Sequence, residues 1–127
     1  MFAQNKALTW TGRTISVLVC LLLSLSAVMK FRNPPEISEN FVDKLGYPAG
    51  LITPIGVVEV ACMVLYVVPQ TSVLGAILLT GYLGGATATH LRVNEPFFGP
   101  VLVGVFVWLG LFLRNPQLRT LIPFQKG

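Results

Sequence analysis

Charge is what this sequence has least of. Only 11% of its 127 residues are Asp, Glu, Lys or Arg, against about 25% in an ordinary soluble domain. So few charges cannot cover a water-facing surface, which excludes a soluble globular fold. Histidine occurs once, which rules out a haem held by a histidine pair. The two cysteines, Cys20 and Cys62, both lie inside apolar runs. There is no CxxC, no zinc-ligand spacing and no disulfide framework, so no metal site is expected. No flavin or nicotinamide fingerprint occurs either.

In place of charge the chain has 54% hydrophobic residues and a mean hydropathy of +0.73. The apolar residues fall into four segments, approximately 14–29, 51–68, 71–91 and 96–113. Each is close to the roughly 20 residues that cross about 30 Å of hydrocarbon. Flanking Lys and Arg can snorkel to make up a shortfall. Backbone inside a bilayer must satisfy its own hydrogen bonds. The expected fold is therefore all-α, a single-domain four-helix transmembrane bundle over residues 1–127. The N-terminal run resembles a secretory signal, with Lys6 and Arg13 before it and Ser24, Ser26 and Ala27 late in it. We read it as the first membrane helix.

The net charge of +4 does not point to nucleic acid, because the basic residues flank apolar segments instead of clustering. Lys30 and Arg32 are read as boundary charges after the first helix, and Arg92 as a headgroup contact with Glu95 as its neighbour across the turn. Pro69-Gln70 makes a tight turn between helices two and three. The link from Lys30 to Gly50 is long, and its EISENFVDKLGYPAG predicts a short interfacial helix. Ser38 is its expected cap, Phe41 and Leu45 share a face, and Gly46 and Pro48 end it. Four crossings put both termini on one side. Lys6, Arg13, Arg114, Arg119 and Lys126 on that side, against Lys30, Arg32, Lys44 and Arg92 on the other, place the termini in the cytoplasm of a bacterial cell membrane.

Glu59, in GVVEVACMVLY, is the only acidic residue within an apolar segment. Such a group is costly at membrane depth and marks function by default. The alternative is a structural glutamate hydrogen-bonded to the next helix. Helices two and three run antiparallel about Gln70, so Glu59 is level with Gly81, flanked by Thr80 and Tyr82. His90 is roughly 13 Å further along the axis at 1.5 Å per residue, which argues against a direct Glu59–His90 pair, though Tyr82 is long enough to help bridge them. At 100° per residue, Gly81, Gly85, Ala88 and Arg92 share one side of helix three, and the GxxxG pair on it predicts close helix packing. Leu83, Ala86, Thr87 and His90 face the other way. Cys20 and Cys62 match in depth and would allow a redox pair, but a buried cysteine is more often a small hydrophobe.

The GYPAG element, the GVVEV stretch around Glu59 and GYLGGATATHLR together resemble the DoxX-like group of small four-helix membrane proteins, over roughly residues 14–115. The resemblance implies a compact four-helix fold and an association with thiosulfate:quinone oxidoreductase or with membrane redox and thiol-stress complexes. Glu59 and His90 match polar positions of the group. The reading is a polar intramembrane cavity lined by Glu59, Tyr82, Thr87 and His90. It would bind a small hydrophobic or quinone-like molecule as an accessory of a membrane redox system, with no cofactor assigned. Expected partners are the lipid bilayer, that ligand, and a redox partner or a second copy of the chain. Two rivals stand beside it: an isomerase-like enzyme using Glu59 and His90 as an acid–base pair on a lipophilic substrate, and a non-catalytic assembly factor or chaperone.

Overall fold

The computed structural model describes residues 6–125. Among the described residues the chain is all-helical, with five α-helices and no strand. Four are long: α1 (Lys6–Arg32), α3 (Ile52–Val67), α4 (Ser72–Arg92) and α5 (Phe98–Arg114). The short α2 (Pro35–Glu39) continues into a π-helical turn, Asn40–Lys44, in the link between α1 and α3. Each long helix packs against two others in the cyclic order α1, α3, α4, α5.

The largest departure from expectation is α1, which begins well before Thr14 and ends after Met29. Arg13 looks like a boundary by charge, but a helix does not stop where an apolar run stops. Thr11 and Thr14 donate to the carbonyls of Ala7 and Trp10, at 2.7 and 2.9 Å, and so add no unsatisfied groups to the helix. The Arg13 guanidinium lies 5.0 Å from the centre of the Trp10 ring. Backbone stereochemistry ends the helix: Asn33 takes a left-handed φ of 48° and Pro34 follows. The Asn33 amide closes the last turn on Met29 at 2.9 Å.

The outer surface is the apolar one. Leu18, Leu21 and Leu25 of α1, Val57, Val58 and Val64 of α3, Ile77 of α4, and Leu102 and Val105 of α5 are all exposed. Two stretches, Lys6–Arg32 and Pro69–Arg92, are long and apolar enough to cross a membrane, whereas α3 and α5 are shorter apolar helices. The inner stripe of α1 is mixed: Thr9, Gly12, Ser16, Val19, Leu23, Ala27 and Lys30. This arrangement, apolar outside with polar groups inside, suits lipid as the solvent.

One end of the bundle is packed without space. A Cβ on Gly12 would fall 2.6 Å from the Gly110 carbonyl oxygen, and one on Gly110 would fall 2.7 Å from Ser16 Oγ, so α1 and α5 touch backbone to backbone. A Cβ on Gly75 would fall 2.2 Å from the Tyr66 amide nitrogen, which fixes the α3–α4 approach across the Pro69–Thr71 turn. Tyr66 is fully buried there. Its hydroxyl donates to the Val107 carbonyl at 2.6 Å and meets Ser16 Oγ at 3.1 Å. Arg114 donates to the Tyr66 carbonyl at 2.7 Å and stacks 4.7 Å from its ring centre. The start of α1, the end of α5 and the α3–α4 turn therefore share one end.

The expectation of close packing through Gly81 and Gly85 is corrected. A Cβ at either position would meet nothing within 4 Å. These glycines border open space; the contacts with another helix's backbone belong to Gly12, Gly75 and Gly110, and Gly56 packs against the Lys30 and Phe31 side chains.

Candidate functional site

Opposite the packed end, the four long helices line a half-open cavity of about 660 Å³. Its wall is mostly apolar: Leu22 and Leu23 from α1, Ile55 from α3, Leu83 from α4, Pro100 and Val103 from α5. The absence of side chains at Gly81 and Gly85 makes part of this space. Polar groups converge on it from three helices: Ser26 and Lys30 of α1, Glu59 of α3, and Tyr82, Thr89 and His90 of α4.

Lys30 is the residue that sequence reasoning placed wrongly. It is 7% exposed instead of lying at the membrane boundary, and it forms an ion pair with Glu59, which is 1% exposed. The Nζ–Oε1 distance is 3.1 Å, and this is the sole ion pair among the described residues. The ammonium group also donates to Ser26 Oγ, one turn earlier, at 2.6 Å. It lies 5.6 Å from the centre of the Phe41 ring. A charge in an apolar interior needs such company, because an isolated ion there is prohibitively costly. The signal in the sequence was positional: Lys30 continues the stripe Ser16, Val19, Leu23 and Ala27 at helical spacing, and that stripe faces inward.

Tyr82 and Glu59 are set against each other, and Tyr82 is one of the two residues flanking Gly81, the level that pairing about Gln70 gives for Glu59. His90 lies on the same cavity wall. Its Nδ1 is 2.7 Å from the Ala86 carbonyl oxygen. A carbonyl has no proton to give, so Nδ1 carries the hydrogen, and whenever the ring is neutral Nε2 is an acceptor. Glu59 and His90 share the cavity without a hydrogen bond between them; the carboxylate is held by Lys30 instead.

Thr87 is not brought to this site. Its hydroxyl donates back to the Leu83 carbonyl at 2.8 Å. The residue lines a separate recess of about 190 Å³ between α4 and α5, with Gly84, Gly104 and Trp108. Thr89, two residues on, occupies the cavity wall that had been assigned to Thr87. The helical-wheel assignment failed because its reference face, Gly81 and Gly85, opens on the cavity.

The α1–α3 link covers the mouth of the cavity with Asn40, Phe41, Leu45 and Tyr47. Its helix starts at Pro35, with no cap from Ser38, since proline at the first helical position is pre-organised for that role. It ends as expected at Gly46, with a φ of 78°. Two contacts fasten it to α4. The Arg92 guanidinium donates to the Leu45 carbonyl, which replaces the expected headgroup contact. Arg92 forms no pair with Glu95. The second contact is Tyr47 Oη to Thr89 Oγ1 at 2.7 Å. Thr89 already donates its one proton to the Gly85 carbonyl at 2.8 Å, so Tyr47 is the donor to Thr89. Lys30, Ser26, Phe41 and Tyr47 were all missed from sequence.

Cys20 and Cys62 are free thiols. Cys62 belongs to the buried apolar core and Cys20 packs against that core.

In comparison with known proteins, the profile of the DoxX-like family matches residues 14–113. No curated protein and no solved structure matches the chain.

Proposed function

The chain belongs to the DoxX-like family, and from that premise we propose that it is a multi-pass membrane protein whose bundle holds a small lipophilic molecule. All four long helices cross the membrane in this reading, α3 and α5 doing so with the help of flanking turns and basic residues. The bilayer is a bacterial cytoplasmic membrane with both termini inside. The ligand is quinone-like in character, taken in its reduced, hydroxyl-bearing quinol form, and the protein serves a membrane redox system as an accessory.

One observation carries the reading: a largely apolar cavity of about 660 Å³ meets a polar cluster of Lys30, Glu59, Tyr82 and His90. That volume lies within the roughly 300–1,000 Å³ typical of small-molecule sites, which likewise combine apolar walls with a few placed polar groups. Glu59 is engaged by Lys30 and not by His90, an arrangement that favours ligand binding over an acid–base enzyme. The purified protein in lipid nanodiscs, mixed with a short-chain ubiquinol analogue kept reduced, tests it. Native mass spectrometry should find one analogue bound per chain, and Gly85→Leu, which fills the cavity, should abolish that adduct. Equal retention by the wild type and Gly85→Leu removes the cavity as the site. An empty wild-type protein leaves the assembly-factor reading in front.

A further inference from the structure

We infer that the cavity selects an uncharged lipophile whose polar head donates a hydrogen bond as well as accepting one, a phenol being the simplest such head. This rests on the ligand-binding reading above and concerns the chemical class of the ligand. It follows from which hydrogen-bonding groups at the cavity wall already have partners. Lys30 gives one proton to Ser26 and one to Glu59. Its third lies on the side of the Phe41 ring, at the cavity. Glu59 receives the lysine through Oε1, and a carboxylate has about four lone-pair sites in all. His90 commits its Nδ1 proton to Ala86, so a neutral ring offers the cavity only the Nε2 lone pair. Thr89 and Tyr47 engage each other and hold the covering segment in place.

The wall therefore presents two acceptors: the Glu59 carboxylate, which already receives Lys30 and faces the Tyr82 hydroxyl, and, on a neutral ring, His90 Nε2. Beside them are two donors, the remaining lysine proton and the Ser26 hydroxyl proton. An ether, ester or ketone brings lone pairs alone and would leave His90 Nε2 without a donor, and a buried acceptor without a donor is costly. A carboxylate or phosphate would set a second negative charge beside Glu59, and an ammonium head would set a second positive one beside Lys30. A hydroxyl on an apolar body avoids all three problems. It gives its proton to Glu59 or His90 and takes one from Lys30 or Ser26.

Three probes of similar length test this in nanodiscs: para-heptylphenol, its methyl ether, and the analogue with fluorine in place of the hydroxyl. Each affinity is corrected for partition into empty discs. The phenol should bind about tenfold or more tighter than either analogue, the penalty expected for stranding a buried polar group. His90→Leu and Glu59→Gln should narrow that gap, and Thr87→Ala, outside the cavity, should leave it. Equal affinity for all three probes overturns the donor preference while leaving an apolar binding cavity standing. No binding by any probe overturns both readings. Should Glu59→Gln fail to fold, the wild-type comparison and His90→Leu decide alone; a wild type that binds the fluorine analogue as tightly as the phenol, or a gap left unchanged by His90→Leu, refutes the inference.

Discussion

Lys30 and Glu59 each need the other more than the bundle needs either. Both are buried, at 3.1 Å from each other, so removing one strands a charge in an apolar interior. Such truncations typically cost about 3–5 kcal/mol, whereas replacing both partners by apolar residues is often near neutral. Lys30→Met and Glu59→Leu are therefore each expected to lower the thermal midpoint in detergent. The double variant should recover most of the loss yet bind no ligand. If the single changes are silent and additive in the double, the pair makes no energetic contribution. Half of this pair was legible in the sequence. Glu59 declares itself as the acidic residue inside an apolar run, and its level near Gly81, flanked by Thr80 and Tyr82, follows from the turn at Gln70. Lys30 was hidden because a lysine at the end of an apolar run reads as a membrane-boundary charge. Its place on the inward stripe of α1 emerges only when the helix is carried to Arg32, where Asn33 and Pro34 stop it.

Glycines show what a helix-level motif leaves unsaid. Spacing identifies a smooth face on a helix, but not whether a neighbour or a void lies over it. Gly81 and Gly85 have the packing motif and face the void; Gly12, Gly75 and Gly110 carry the contacts without forming such a pair with one another. Gly75→Ala would drive a methyl against the Tyr66 backbone, for which overpacking costs of about 1–3 kcal/mol apply. Gly85→Ala meets open space and should stabilise α4 by up to about 1 kcal/mol through helix propensity. Opposite shifts in thermal midpoint are the expected result; a stable Gly75→Ala would show that α3 and α4 separate at no cost. The covering segment was half legible for a similar reason. Gly46 and Pro48 announce its end, but Ser38, read as its cap, lies inside the helix, whose first position is taken by Pro35. What it fastens to could not be read at all, since Arg92 and Thr89 reach it across the fold. Tyr47→Phe removes the hydroxyl that holds it to Thr89, and is expected to speed ligand release severalfold with the melting midpoint nearly unchanged. An unchanged release rate would mean that ligand passes between helices instead of beneath this segment.

At the scale of the whole molecule, burial of Lys30 alters the reading of topology. Positive charges orient a membrane protein only where they face the aqueous boundary near the ends of its helices. Lys30 is buried and neutralised by Glu59, so it no longer belongs in that count. Among the described residues, the end carrying the termini has four basic residues, Lys6, Arg13, Arg114 and Arg119, and the opposite end retains three, Arg32, Lys44 and Arg92. Lys126 lies outside the described residues, and with it the sequence count of five to four becomes five to three once Lys30 is removed. The grouping of ends is itself structural: Gly12 abuts Gly110 and Arg114, and Arg114 reaches the Tyr66 carbonyl beside the Pro69–Thr71 turn. Either that whole end is cytoplasmic or none of it is. Single cysteines at Lys6, Gln70 and Gln125 should therefore be protected from a membrane-impermeant maleimide in intact cells, and a cysteine at Glu36 should be labelled. The native thiols, packed at the core, supply the unlabelled background. Labelling at the first three sites with protection at Glu36 would invert the orientation and place the covered mouth of the cavity toward the cytoplasm. Returning Lys30 to the boundary gives a second arm. In a Glu59→Leu background that still folds, its free ammonium should snorkel outward and weaken the bias, so that a minor population labels at Lys6→Cys. A labelling pattern indifferent to Glu59 would mean that the remaining charges fix the orientation without help from the ion pair.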